Sequence, residues 1–125
     1  MEKTFATALN CMDGRTQEPV IDLIKKDANV TFVDMITFPG MDGFLASASE
    51  EELTQILKMI NISIEKHGSK DLYVVGHYDC AGNPVSEEEH KNHISQAVHR
   101  LKQIFPNLTI KGIWVSEDWK AMLLL

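Results

Sequence analysis

Two cysteines, Cys11 and Cys80, together with His77, are side chains that favour a borderline-soft metal ion. Two thiolates and an imidazole suit Zn²⁺. Three protein ligands leave a fourth position for water, as in a catalytic zinc, whereas four protein ligands close a structural one. The candidate closers are Asp13, Asp79 or another histidine. Arg15 lies two residues beyond Asp13 and can grip it through a bidentate pair. That grip would hold the carboxylate off the metal and leave one oxygen facing a metal-bound water. An ionised carboxylate only accepts hydrogen bonds, so it would orient a zinc-bound OH group. Two thiolates already neutralise Zn²⁺. They should acidify bound water less than three neutral histidines do, so hydroxide formation is expected to need alkaline pH or help from Arg15. The competing reading of the cysteines is a pair of small buried hydrophobes.

These residues act together only if the chain brings them to one place. Phe5 to Leu9 reads as a first strand, and Cys11 follows it directly. Thr16 is expected to cap the next helix, with Pro19 tolerated in its first turn and Val20, Leu23 and Ile24 facing inward. Val30 to Ile36 reads as a second strand, with Phe38 to Gly43 as the loop after it. Ser49 and Glu52 form a capping box for a helix carrying Leu53, Ile56, Leu57, Ile60 and Ile64 on one face, ended by Gly68. Leu72 to Val75 is a third strand, running into Gly76 and His77. Ser86 and Glu89 form a second capping box, and the helix behind it places Ile94, Ala97, Val98, Leu101 and Ile104 on one side. Leu108 to Val115 is a fourth strand.

Alternating strands and helices with short loops predict one α/β domain over residues 1–125: a mainly parallel sheet of about four strands, order 2-1-3-4, with helices on both faces. In such a sheet ligands collect beyond the carboxyl ends of the strands. If strands one and three are neighbours, their loops start about 5 Å apart. Cys11, His77 and Cys80 then converge from distant sequence positions.

These loops resemble those of the β-class carbonic anhydrases. That family carries Cys-x-Asp-x-Arg after its first strand and His-x-x-Cys-Gly after its third. Here the first is Cys11-Met12-Asp13-Gly14-Arg15, and the second is His77-Tyr78-Asp79-Cys80, followed by Ala81-Gly82. Ser63-Ile64-Glu65, leading through Gly68 to the strand before His77, and Lys111 to Val115 are similar to the family as well. The resemblance implies one Zn²⁺ per chain on Cys11, His77 and Cys80, with Asp13 and Arg15 as a gatekeeping dyad. The implied reaction is reversible hydration of CO₂ to bicarbonate by a zinc-bound hydroxide. Because the first strand is read almost at the start of the given residues, the N-terminal helical arm that braces the family's dimer and the glutamine upstream of the zinc cysteine are expected to be missing. The chain also carries Thr37-Phe38-Pro39-Gly40 after the second strand, where the family often has Arg-Asn-x-Gly. Two alternatives stand beside CO₂ hydration. One is hydrolysis of COS or CS₂ on the same zinc. The other is a non-catalytic zinc protein whose site Asp13 closes.

The chain has 125 residues and a net charge of −6, from 12 basic and 18 acidic side chains. That balance argues against a nucleic-acid or anionic-membrane partner. No apolar run approaches the ~20 residues that span a bilayer, and the first residues do not read as a signal peptide. A cytoplasmic location is expected, where a Cys11–Cys80 disulfide is not. A thiol redox role is disfavoured, since no Cys-x-x-Cys pair is present. A homodimer is the simplest expected assembly, although the C-terminal leucines could equally fold back on their own core. Asp79 is read as a loop carboxylate capping local N–H groups. Asp34 and Asp42 could border the pocket, with a turn-forming or solvated role favoured for Asp42. His90, His93 and His99 are expected at the surface of one helix. Phe38, Met41 and Phe44 are candidates for an apolar wall, a core patch or a subunit contact.

Overall fold

Alternation along the strands decides the layering. The computed structural model describes residues 3–124. In strand β1 (Phe5–Asn10), Ala6 and Ala8 point to one face and Leu9 to the other. In β3 (Asp71–His77), Tyr73 and Val75 join the first face, and Leu72 and Val74 the second. In β4 (Thr109–Val115), Ile113 and Val115 alternate in the same way with Ile110 and Trp114. Apolar residues on both faces require cover on both faces. Helix α1 (Gly14–Ala28) supplies Val20 and Ile24 to one core. Helices α2 (Met41–Ser47), α3 (Glu50–His67) and α4 (Glu87–Ile104) cover the other. Burial of a Leu or Ile side chain stabilises by roughly 1.5–3 kcal/mol, so these two layers hold the sheet that positions the loops.

The sheet runs β2-β1-β3-β4-β5, with β2 at Phe32–Thr37 and β5 at Ala121–Leu123. The expected order 2-1-3-4 is present and parallel throughout. The fifth strand is added antiparallel, with Ile113 opposite Leu123 and Val115 opposite Ala121. The C-terminal segment thus folds back on its own sheet, and Leu124 packs against the core.

Several local expectations change. Asp13, not Thr16, caps α1: its side chain accepts from the Arg15 backbone N–H, and Thr16 is buried. A side-chain oxygen at the cap satisfies a donor that the helix leaves free. The segment after β2 is not all loop, since α2 begins at Met41, behind Gly40 in a left-handed conformation (φ 62°). Met41 is core. The Ser49–Glu52 capping box forms with both bonds, and Gly68 ends α3 left-handed. Ser86 caps α4 by accepting from the Glu89 N–H. No helix among the described residues is long and apolar enough to cross a membrane.

Candidate metal centre

The β1–β3 register pairs Leu9 with Val74. Continued past the strand ends, it brings Cys11 level with Gly76, next to His77. The loop after β1 is pinned by its own polar side chains. Asn10, fully buried, accepts from the Cys11 N–H (2.8 Å) and donates to Thr16 Oγ1 (3.1 Å). Thr16 donates to the Asp13 carbonyl at 2.8 Å, and Gln17 Nε2 donates to the carbonyls of Cys11 and Asp13 at 2.9 and 3.0 Å. The second loop turns at Asp79, whose φ of 56° is left-handed. Asp is one of the few residues to adopt that conformation readily.

Cys11, His77 and Cys80 form one buried cluster, with ligand atoms all within 4.8 Å of one another. The two sulfurs lie 4.0 Å apart. Tetrahedral ligation at Zn–S distances near 2.3 Å would set them about 3.8 Å apart. His77 Nδ1 donates to the Tyr78 carbonyl at 2.7 Å. A carbonyl can only accept, so the ring's proton sits on Nδ1 and its lone pair on Nε2. Nε2 is buried and has no hydrogen-bond partner. An imidazole with one nitrogen fixed on a carbonyl and the other vacant is the usual arrangement of a metal-binding histidine. An orphaned buried nitrogen facing two thiols is costly without a ligand, so the residues fit a thiophilic divalent ion.

The charges agree. The contact with Cys80 lowers the Cys11 thiol below the ordinary cysteine value. The same contact, with burial, pushes Cys80 up. Burial opposes protonation of His77, but the Cys11 thiolate and the Tyr78 carbonyl outweigh it and raise its pKa.

Asp13 is outside this cluster and is held by Arg15. Arg15 Nε donates to Oδ1 at 3.1 Å and Nη2 to Oδ2 at 2.7 Å, the bidentate grip expected from the sequence. These bonds hold the Asp13 carboxyl at about 2. Asp79 does not cap local N–H groups as expected. Its side chain is exposed, and Arg15 Nη1 reaches its Oδ2 at 3.4 Å. Trp119, in the β4–β5 turn, lies under the guanidinium with Arg15 Cζ 4.1 Å from a ring centroid.

Other candidates lie elsewhere. Asp34, within β2, accepts from Ser63 and pairs with His67, both of α3, at 2.6 Å each. Asp42 is buried, not solvated: it pairs with His90 Nδ1 at 2.6 Å and accepts from Asn83 at 3.1 Å. His90 is likewise buried, against expectation, because α4 turns it toward α2, while His93 is half-buried and His99 exposed. Phe38 packs on Phe44 at 4.3 Å between centroids but stays 39% exposed, so no closed apolar wall forms. The sequence reading missed the site roles of Asn10, Thr16 (read there only as a helix cap), Gln17 and Trp119. A polar run of Asn10, Thr16 and Gln17 around a cysteine was the available signal for the first three. Trp119 had none.

Residues 1–124 match a protein-family model described as "Putative carbonic anhydrase", and the chain belongs to that family. Its fold is that of the β-carbonic anhydrases. A carbonic anhydrase from Streptococcus mutans superposes with a TM-score of 0.64 at 14% identity, over 95% of this chain and 81% of that one. The β-carbonic anhydrase isoform I of Trichomonas vaginalis gives 0.63 at 14% identity, over 100% and 87%. The carbonic anhydrase of Glaciozyma antarctica gives 0.61 at 18% identity, over 94% and 80%. A search of curated proteins returns no match.

Proposed function

We propose that this chain catalyses the reversible hydration of carbon dioxide to bicarbonate, with one Zn²⁺ held by Cys11, His77 and Cys80. The observation that carries this reading is the buried, unpartnered His77 Nε2 facing two sulfurs 4.0 Å apart, beside a carboxylate that Arg15 keeps out of the cluster. When bound, the ion would supply the Lewis acidity that makes water a nucleophile, less strongly than on three neutral histidines because the two thiolates already neutralise its charge.

The chain's own residues supply the rest. Asp13 stays ionised under the Arg15 grip and can only accept a hydrogen bond. It would thereby fix the orientation of the attacking water and discriminate against groups with no proton to donate. Arg15 sets the angle of that carboxylate and keeps it from the cluster. A cleft of about 380 Å³ bordered by Tyr78, Asp79, Cys80, His90 and Trp114 adjoins the cluster and is ample for a triatomic substrate. We place the chain in the cytoplasm and expect a homodimer. Two β-carbonic anhydrases from Sordaria macrospora among the structural neighbours are tetrameric.

Metal analysis with stopped-flow CO₂ hydration tests this. The expected result is one zinc per chain and a rate well above background. Cys80→Ser should abolish metal binding. Asp13→Ala should keep the metal and lose about 100-fold in rate, the scale of a misplaced proton acceptor. Zinc at one per chain with background rates would leave a metal-binding protein and overturn the catalytic reading. Absence of zinc, with both thiols freely titratable, would overturn the metal site.

A further inference from the structure

Resting on the reading of Asp13 and Arg15 just proposed, we infer that Trp119 is a positioning residue for the site, holding the Arg15 guanidinium flat so that its fork meets Asp13. Arg15 is itself exposed, and its stem alone leaves many rotamers open. Three contacts select one. Asp13 takes Nε and Nη2, Asp79 takes Nη1 at its carboxylate and Nη2 at its carbonyl (3.3 Å), and the Trp119 ring lies beneath. The two aspartates sit on one edge or another of the guanidinium plane. Trp119 covers a face, and a flat cation stacks on an indole face.

Trp119 is in turn anchored. Its ring packs against the core beneath α1 and stands 6.3 Å from the His77 ring and 6.4 Å from the Tyr78 ring, centroid to centroid. Its N–H donates to the Ser116 carbonyl (2.9 Å), and Ser116 N–H donates to the Lys120 carbonyl (3.0 Å), closing the turn between β4 and β5. The backbone at Trp119 is left-handed, with φ 58°. For a bulky side chain this conformation is unfavourable and a glycine would adopt it freely. A large aromatic placed where the backbone prefers glycine points to a use for the ring rather than for the turn. The short strand β5, absent from the sequence expectation, then has a purpose: it carries the turn that brings the ring over Arg15.

The strain supplies the test. Trp119→Gly relaxes the backbone and removes the stack, whereas Trp119→Phe keeps an aromatic face. We expect Trp119→Gly to stay folded, with relief of the backbone strain offsetting part of the lost ring packing, and to bind zinc as the wild type does. Its Arg15 Nε–H resonance, assigned in ¹⁵N spectra by Arg15→Lys, should broaden through solvent exchange in metal-free and zinc-loaded protein alike. Its kcat should fall about fivefold, equivalent to roughly 1 kcal/mol at 1.4 kcal/mol per decade. Trp119→Phe should recover the resonance and most of the rate. A sharp Arg15 resonance in Trp119→Gly would overturn the proposal, as would Trp119→Phe losing it to the same degree. If the wild type showed no hydration rate at all, the catalytic reading would fall while the resonance comparison still decided the role of Trp119.

Discussion

At the residue scale, Arg15 divides its guanidinium among Asp13, Asp79 and the Trp119 ring, and only a planar fork reaches all of them. A lysine would keep the charge and lose the geometry. Arg15→Lys should therefore retain zinc yet reduce the hydration rate about tenfold, read by metal analysis beside stopped flow. Such a loss of orientation at constant charge is the signature of a bidentate contact. The Cys11–His77–Cys80 grouping was legible in the sequence because two thiols and an imidazole lie just past strand ends that a parallel sheet brings together. The grip of Arg15 on Asp13 was legible from spacing and donor geometry. Trp119 was not. Its contact with Arg15 depends on a turn more than a hundred residues away, and neither apolar periodicity nor spacing marks a single aromatic in a polar hairpin.

At the element scale, two loops are held against each other by the absence of side chains. A Cβ on Gly82 would lie 2.6 Å from the Gly40 backbone nitrogen and the Pro39 carbonyl carbon, closer than real Cβ atoms approach. The Cys80 loop therefore rests directly on the loop that opens α2. Gly82→Ala should force these loops apart, costing about 1–3 kcal/mol as overpacking does, and should weaken zinc affinity together with stability. Chemical denaturation and a zinc competition titration would show both. A second tie lies under the other face. Asp27 of α1 accepts from Tyr73 of β3 at 2.6 Å and from Lys111 of β4 at 2.9 Å. The Tyr73 hydroxyl first, then Lys111, hold the Asp27 carboxyl below its ordinary value. A lowered carboxylate stabilises the fold above the unfolded pKa, ~3.9 for Asp, and that stability is lost as pH falls through the folded value. Asp27→Asn should thus flatten the loss of stability below about pH 4 relative to the wild type, measured by urea denaturation across acid pH. Helices α1, α3 and α4 and the four parallel strands were legible from period and capping, and their order from the need to set the first and third strands side by side so that the two loops meet. Strand β5 and helix α2 were not, being too short to show a period: three and seven residues.

At the scale of the whole molecule, the buried groups with unmet needs cluster where the two loops meet. Asp42 and His90, with side chains each 2% exposed, connect α2 and α4 at the back of the site. Asn83 ties Asp42 to the Cys80 loop at 3.1 Å. Sequence reading sent both residues to the surface because a lone Asp before Gly, and a histidine in a polar helix, carry no sign of a partner 48 positions away. Their pairing was invisible until the fold closed. In front of them stands His77 Nε2, buried and unpartnered, with the two sulfurs. The sheet thus brings Cys11, His77 and Cys80 together, and an ion that binds only this arrangement must stabilise the fold by mass action. At a free zinc concentration 100 times the dissociation constant the gain is about 2.7 kcal/mol. For a chain between the ~100- and ~150-residue size classes, each 1 kcal/mol raises the melting temperature by about 4 °C. Zinc should therefore raise the midpoint by roughly 10 °C, and a chelator should reverse it. Cys80→Ser should melt at one temperature with or without zinc, because two remaining ligands hold the ion too weakly to favour the folded state. A zinc-dependent rise that persisted in Cys80→Ser would place the ion elsewhere on the molecule.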